Sequence, residues 1–191
     1  MPIDYTKQPY TAVRRADREV CDDEWIRELL ERAAVGYLAT VHADQPFINS
    51  NLFVYSAEKH LIYMHSARVG RTPANLATKQ AICFTVSEMG RLLPAAEALE
   101  FSVEYAGVVV FGTAEIVIDP LEAEYGLQIL LDKYAPHLKP GRNYRPITAA
   151  ELKRTAVYRI TIEQWSGKKK EVADDFPGAF YFEDVISGES I

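Results

Sequence analysis

Cysteine is scarce: Cys21 and Cys83 are the only two in 191 residues. No CxxC spacing relates them, so neither a thiolate metal site nor a disulfide framework is supported. Cys83 sits in the apolar run Ala81-Ile82-Cys83-Phe84-Thr85-Val86 and reads as a small buried hydrophobe. The four histidines, His42, His60, His65 and His137, show no ligand spacing, and no metal is expected. Long hydrophobic runs are also lacking. No apolar stretch reaches the roughly 18 residues that a membrane-spanning helix needs. The polar segment Met1 to Tyr10 lacks the apolar core of a signal peptide. Excess basic charge is missing too. The formal net charge is −6, which argues against a nucleic-acid or anionic-membrane surface. The cytoplasm is therefore the expected compartment. Internal repeats and low-complexity segments are absent.

What is present is ordinary globular composition, 48% hydrophobic and 25% charged. The expected organisation is an N-terminal arm at 1–12, one domain at 13–185 and a short tail at 186–191. A basic cluster, Arg14, Arg15 and Arg18, interleaves with Asp17 and Glu19. The acids before Trp25, Ile26, Leu29 and Leu30 predict a helix from Asp22 to Arg32. Strands are predicted over Val35–His42, Phe47–Tyr55, His60–His65, Ala81–Ser87, Tyr105–Ile118 and Ala156–Glu163. The glycines of the fifth strand suggest a bulge or tight curvature. Gly70 to Ala77 predicts a short helix, with Thr72 as N-cap and Pro73 in the first position. Met89 to Glu100 reads as a loop or short helix. Asp119-Pro120 opens a helix whose heart is Glu122 to Tyr134, and Thr148 to Glu151 has capping-box spacing. Six antiparallel strands with flanking helices favour a barrel over an open sheet, because closure removes exposed edges. The fold class is thus mainly β (α+β).

The segment His65-Ser66-Ala67-Arg68-Val69-Gly70-Arg71-Thr72-Pro73-Ala74-Asn75 leaves a strand and enters a helix. Backbone amides at a helix start, a hydroxyl and a guanidinium make a phosphate cradle; the competing reading is an ordinary capped helix with solvated arginines. The segment lacks Walker spacing and the dinucleotide glycine fingerprint. His65 ends an apolar strand and is the one candidate catalytic group. Asn49-Ser50-Asn51 places three polar side chains inside a strand. They could read the donor and acceptor edge of a flavin ring. Trp165-Ser166-Gly167-Lys168 follows the last predicted strand, and an aromatic plus a lysine there could clamp a ligand. The run Lys168-Lys169-Lys170 is too short for a nucleic-acid tail but long enough to hold one phosphate or carboxylate. Glu104-Tyr105 reads as an ordinary interface or core pair.

In order and spacing, several segments resemble a known family. They are Arg14 to Arg18, Gly36 to Val41, Pro46 to Asn51, Tyr63 to Ala67, Gly70-Arg71-Thr72, Asn75-Leu76, Tyr105 to Gly112 and Trp165 to Lys168. The chain resembles the FMN-binding split-barrel superfamily of pyridoxamine 5'-phosphate oxidase, and within it the nitroimidazole-resistance-like branch. The resemblance covers roughly Arg14 to Lys170. It implies a six-stranded Greek-key split β-barrel that forms a homodimer, with FMN shared at the subunit interface. By that likeness Ser66, Arg71 and Thr72 hold the FMN phosphate with His65, Ala67 and Asn75 beside them. Asn49, Ser50 and Asn51 run along the ring edge, and Trp165 and Lys168 reach in from the partner subunit. The branch often has lysine where this chain has Arg71; both suit a phosphate. The pyridoxal-phosphate signature of the true oxidases is not evident, so that oxidation itself is not expected. Three readings stay open: an FMN-dependent oxidoreductase acting on a small organic molecule, nitro groups included; a non-catalytic flavin carrier or redox sensor; and a barrel that holds deazaflavin or haem.

Overall fold

Three runs rich in β-branched and aromatic residues pair side by side and form the centre on which the rest of the chain is wrapped. The computed structural model describes residues 3–187. Its strands are β1 (Glu19–Val20), β2 (Gly36–His42), β3 (Gln45–Asn51), β4 (Phe53–Ser56), β5 (Leu61–Ala67), β6 (Ala81–Leu93), β7 (Ser102–Ile116) and β8 (Thr155–Lys170). Its helices are α1 (Asp23–Arg32), α2 (Arg71–Thr78), α3 (Pro120–Tyr134), α4 (Ala149–Arg154) and α5 (Phe182–Ser187). The sheet runs β3-β2-β6-β7-β8-β5-β4, with β1 added on β8, and every pairing is antiparallel. The outer strands β3 and β4 do not pair with each other, so this is a split β-barrel and the sheet is not closed.

Alternation along the strands defines the interior. Leu38, Phe53, Ile62, Met64, Phe84, Val86, Val108, Val110, Tyr158 and Ile160 form one buried cluster, and Ile26, Leu29 and Leu30 of α1 close over it. The Asp22 carboxylate caps α1 by accepting from the amides of Glu24 and Trp25. A second cluster, Val54, Tyr63, Val157 and Val117 with Ala123 and Leu130, lies beneath α3. Asp119 caps α3 with Pro120 at its start, and Thr148 and Glu151 complete the capping box of α4. No described helix is long and apolar enough to cross a membrane.

The structure has eight strands where the pattern predicts six, and each departure has a local cause. The predicted strand over 47–55 breaks at Leu52 because Asn51 uses its side chain in place of the ladder. Its Oδ1 accepts from the Leu52 amide and its Nδ2 donates to the His65 carbonyl. β6 runs on to Leu93 through the predicted loop, because Arg91 pairs with Glu104 on β7 and Gly90 leaves room for the Glu104 side chain. β8 extends to Lys170, so Trp165 and Lys168 lie within the last strand and do not follow it. A register shift between Phe111 and Gly112 leaves Glu163 as an extra residue on β8; alternation fails there, which is why the pattern stops at 163. β1 has two residues and no signal of its own. The N-cap of α2 is Gly70 and not Thr72, which is the second helical residue. Of the expected tail, residues 186–187 finish α5 and 188–191 lie outside the described residues, as do residues 1–2 of the arm.

Candidate functional site

Three elements converge where β5 ends. Gly70, with φ 154° and ψ −177°, turns the chain from β5 into α2. That region of backbone space is essentially closed to side-chain-bearing residues. Among the described residues no side chain caps the amides that open α2, which leaves them for a ligand, and the helix dipole favours an anion there. Of the two nearby arginines, Arg68 donates to the Leu152 carbonyl at 2.8 Å. Arg71 is exposed and makes no hydrogen bond or ion pair among the described residues. An uncapped helix start with an unengaged guanidinium fits a phosphate.

Thr72 and Asn75 face the protein and are only 5% and 1% exposed. The Asn75 Nδ2 donates to Thr40 Oγ1 at 2.9 Å, and its Oδ1 has no partner among the described residues. Turning the amide over would exchange the two roles and still leave one atom unanswered. On β3, Asn49 and Asn51 pair with Leu38 and Gly36, whereas Ser50 pairs with Tyr37. Alternation therefore puts the two asparagines on one face and Ser50 on the other. Asn51 reaches the His65 carbonyl at 2.5 Å and ties β3 to β5.

His65 is half-buried on β5, in a groove of about 330 Å³ lined also by Ser66, Ala67, Glu151, Arg154 and Thr155. Burial alone pushes its pKa below the ordinary value, so the ring is neutral near pH 7. Neutral imidazole has one donor and one acceptor nitrogen. The Ser66 hydroxyl lies 2.6 Å from the Tyr158 hydroxyl and donates to the Ala67 carbonyl at 2.9 Å. Asn51, His65, Ser66 and Ala67 thus stand together, and Arg71 follows a few residues on.

Trp165 and Lys168 belong to a different part of the same chain. The Trp165 Nε1 donates to Asp23 at 2.8 Å, beside α1, and its ring meets His60 edge-on. The Lys168 ammonium lies 5.4 Å from the centre of the Tyr105 ring, which Arg18 also approaches. Sequence reasoning noted Arg18, Tyr105 and Lys168 separately but not their convergence. The register of β7 on β8 sets Tyr105 beside Lys168, and the pairing of β1 with β8 brings in Arg18; nothing in local sequence announces either. Among the described residues, no group of three or more His, Cys, Asp or Glu gathers as metal ligands would.

This architecture is a split β-barrel whose helix α2 starts without a side-chain cap among the described residues. The chain belongs to the pyridoxamine 5'-phosphate oxidase family, whose profile matches residues 22–169. Among solved structures, a flavocytochrome from Azotobacter vinelandii is 25% identical, with a TM-score of 0.75 over 95% of this chain and 80% of that one. An FAD and haem binding protein from Mycobacterium smegmatis is 23% identical, with a TM-score of 0.72 over 90% of this chain and 80% of that one. A candidate 5-nitroimidazole antibiotic resistance protein from Bacteroides thetaiotaomicron is 17% identical, with a TM-score of 0.65 over 80% of this chain and 90% of that one. The last two likenesses speak to the fold alone. No curated protein matches the sequence significantly.

Proposed function

We propose that the chain is a flavin-binding redox protein whose cofactor phosphate sits on the N-terminus of α2. The observation that carries this reading is the uncapped helix start with Arg71 unengaged beside it. The free amides and the guanidinium hold the phosphate; Asn49 and Asn51 face the ring edge from β3, and His65 and Ser66 flank it from β5. The buried amide of Asn75, whose Oδ1 has no partner among the described residues, fixes α2 against β2 through Thr40. Trp165 and Lys168 complete the site from a second copy of the chain, across the interface of a homodimer. A bound flavin supplies the electron or hydride transfer to a small organic acceptor, nitro compounds included. Neutral His65 can donate one hydrogen bond to that flavin or acceptor.

The phosphate site serves FMN and FAD alike. FMN is the cofactor the sequence resemblance implies, while the solved likenesses include an FAD-binding protein, an FAD and haem binding protein and a flavocytochrome. The visible spectrum of the purified protein, with mass analysis of the released ligand, tests all of this at once. Flavin bands with an FMN or FAD mass are expected, and a Soret band would add haem. Absence of flavin bands, with no uptake of added FMN or FAD, sinks the reading. Adding NADH and NADPH to the holoprotein then asks whether a nicotinamide is the electron donor.

A further inference from the structure

Tyr105 lies near the start of β7, at a place where cations outnumber the carboxylates that could answer them. Arg18, at the end of a short turn before β1, donates to the Tyr105 hydroxyl at 3.4 Å. Its guanidinium carbon lies 6.0 Å from the ring centre, and the Lys168 ammonium lies 5.4 Å from it on β8. The nearby acids are already engaged. Asp17 takes two hydrogen bonds from Arg15, at 2.8 and 2.7 Å, and stands 3.8 Å from Arg18. Glu104 is held by Arg91, Glu171 by Lys169 and Glu88 by Arg32. Glu19 pairs with Lys168 in the β1–β8 register, yet among the described residues no carboxylate comes within 4.0 Å of the Lys168 ammonium, which is half-buried. Its neighbour is the Tyr105 side chain, and a half-buried ammonium without an opposite charge favours an anion beside it.

The hydroxyl geometry points the same way. The Tyr105 hydroxyl has Arg18 and Lys168 as its side-chain hydrogen-bond partners, both of them donors, and its own proton has no acceptor among the described residues. Burial opposes ionisation of this phenol, but Arg18 and Lys168 outweigh it and hold its pKa below the ordinary value. A groove of about 470 Å³ passes Arg15, Arg18 and Lys170. A second, of about 210 Å³, runs past Tyr105, Trp25 and Met89, and the two share Lys169, Lys170 and Glu171.

We propose that this cleft binds the carboxylate or phosphate of a small organic anion, with Tyr105, Arg18 and Lys168 donating to its oxygens. The organic part extends into the groove that Tyr105 shares with Trp25 and Met89. Tyr105 and Arg18 take no part in the α2 cradle, so their variants test this site apart from the flavin reading. Lys168 is the one residue expected at both.

Benzoate and phenyl phosphate, with benzamide as the neutral comparison, are titrated by calorimetry into the protein as purified. Either anion is expected to bind at least about tenfold more tightly than benzamide, and the tighter of the two identifies the ligand class. Tyr105→Phe and Arg18→Gln are each expected to weaken the anion by about tenfold or more, the scale of one charge-assisted hydrogen bond. Lys168→Met is expected to do the same, and bound flavin should stay unchanged in Tyr105→Phe and Arg18→Gln. In ultraviolet difference titrations, the anion is expected to move phenolate formation at Tyr105 to higher pH. No binding of either anion, undiminished affinity in Tyr105→Phe, or loss of flavin from Tyr105→Phe and Arg18→Gln would overturn the proposal; the last would assign these donors to the flavin.

Discussion

Replacing Arg71 with alanine separates a ligand-binding guanidinium from a structural one. In the protein alone the side chain is exposed and has no partner among the described residues, so its removal should change stability by no more than about 0.5 kcal/mol. With a flavin phosphate on the start of α2, the same guanidinium makes charge-assisted hydrogen bonds worth about 1.5–3 kcal/mol. That corresponds to about 10- to 150-fold in dissociation constant. Arg71→Ala should therefore melt like the parent once both are stripped of cofactor, yet bind FMN or FAD in that range more weakly by fluorescence titration. Arg68→Ala is the internal comparison. Its guanidinium is spent on the Leu152 carbonyl at 2.8 Å, so it should cost some stability and little flavin affinity. Unchanged flavin affinity in Arg71→Ala, with the loss appearing in Arg68→Ala, would refute the assignment of the phosphate to this helix start.

Three further outcomes follow from the packing. A Cβ on Gly112 would stand 1.9 Å from the Thr161 carbonyl oxygen, so Gly112→Ala should cost about 1–3 kcal/mol in urea unfolding as the β7–β8 pairing gives way; an unmoved midpoint would contradict the close approach. Burial lowers the His65 pKa from 6.5, so below about pH 6.5 the unfolded chain takes up the proton first and stability falls as pH drops; His65→Gln should flatten that part of the melting-temperature profile, and parallel profiles would count against it. Lys133 donates to the Ala33 carbonyl at 2.8 Å, and burial brings its pKa down from 10.5 to about 8. Between those values the unfolded chain binds more protons, so stability should rise with pH, and Lys133→Met should remove the rise in urea titrations.

Where the fold was legible, side chains act on their own neighbourhood. Asp22, Asp119-Pro120 and the Thr148/Glu151 pair each satisfy amides within one turn, and each marks a helix start found in the structure. The turn from β5 into α2 was legible for the same reason, since Ser66, Gly70 and Arg71 are neighbours in sequence. Where reading failed, the cause lies across space. Asn51 ends β3 by donating to His65, fourteen residues away. Thr72 looks like a cap by type, but Gly70 takes that position because its φ of 154° makes the turn. Arg18 and Tyr105 stand 87 residues apart and meet only through the sheet.

The bulge at Phe111/Gly112 decides which of these long-range meetings occur. Before it, Ile160 and Ile162 point into the core and Arg159 points away, toward Glu122. With Glu163 as the extra residue, inward positions change from even to odd. Trp165 then packs on the core cluster and reaches Asp23 on α1, while Gly167 lies against Ile26 and Val20. Lys168, opposite Gly107, falls on the outward face with Tyr105. Without the extra residue Lys168 would point under α1, where burying its ammonium would cost several kcal/mol. The glycine that permits the close approach of β7 and β8 therefore also selects which face carries the cationic cleft. A local feature of backbone packing thus sets both the strength of the central sheet and the chemistry at its end.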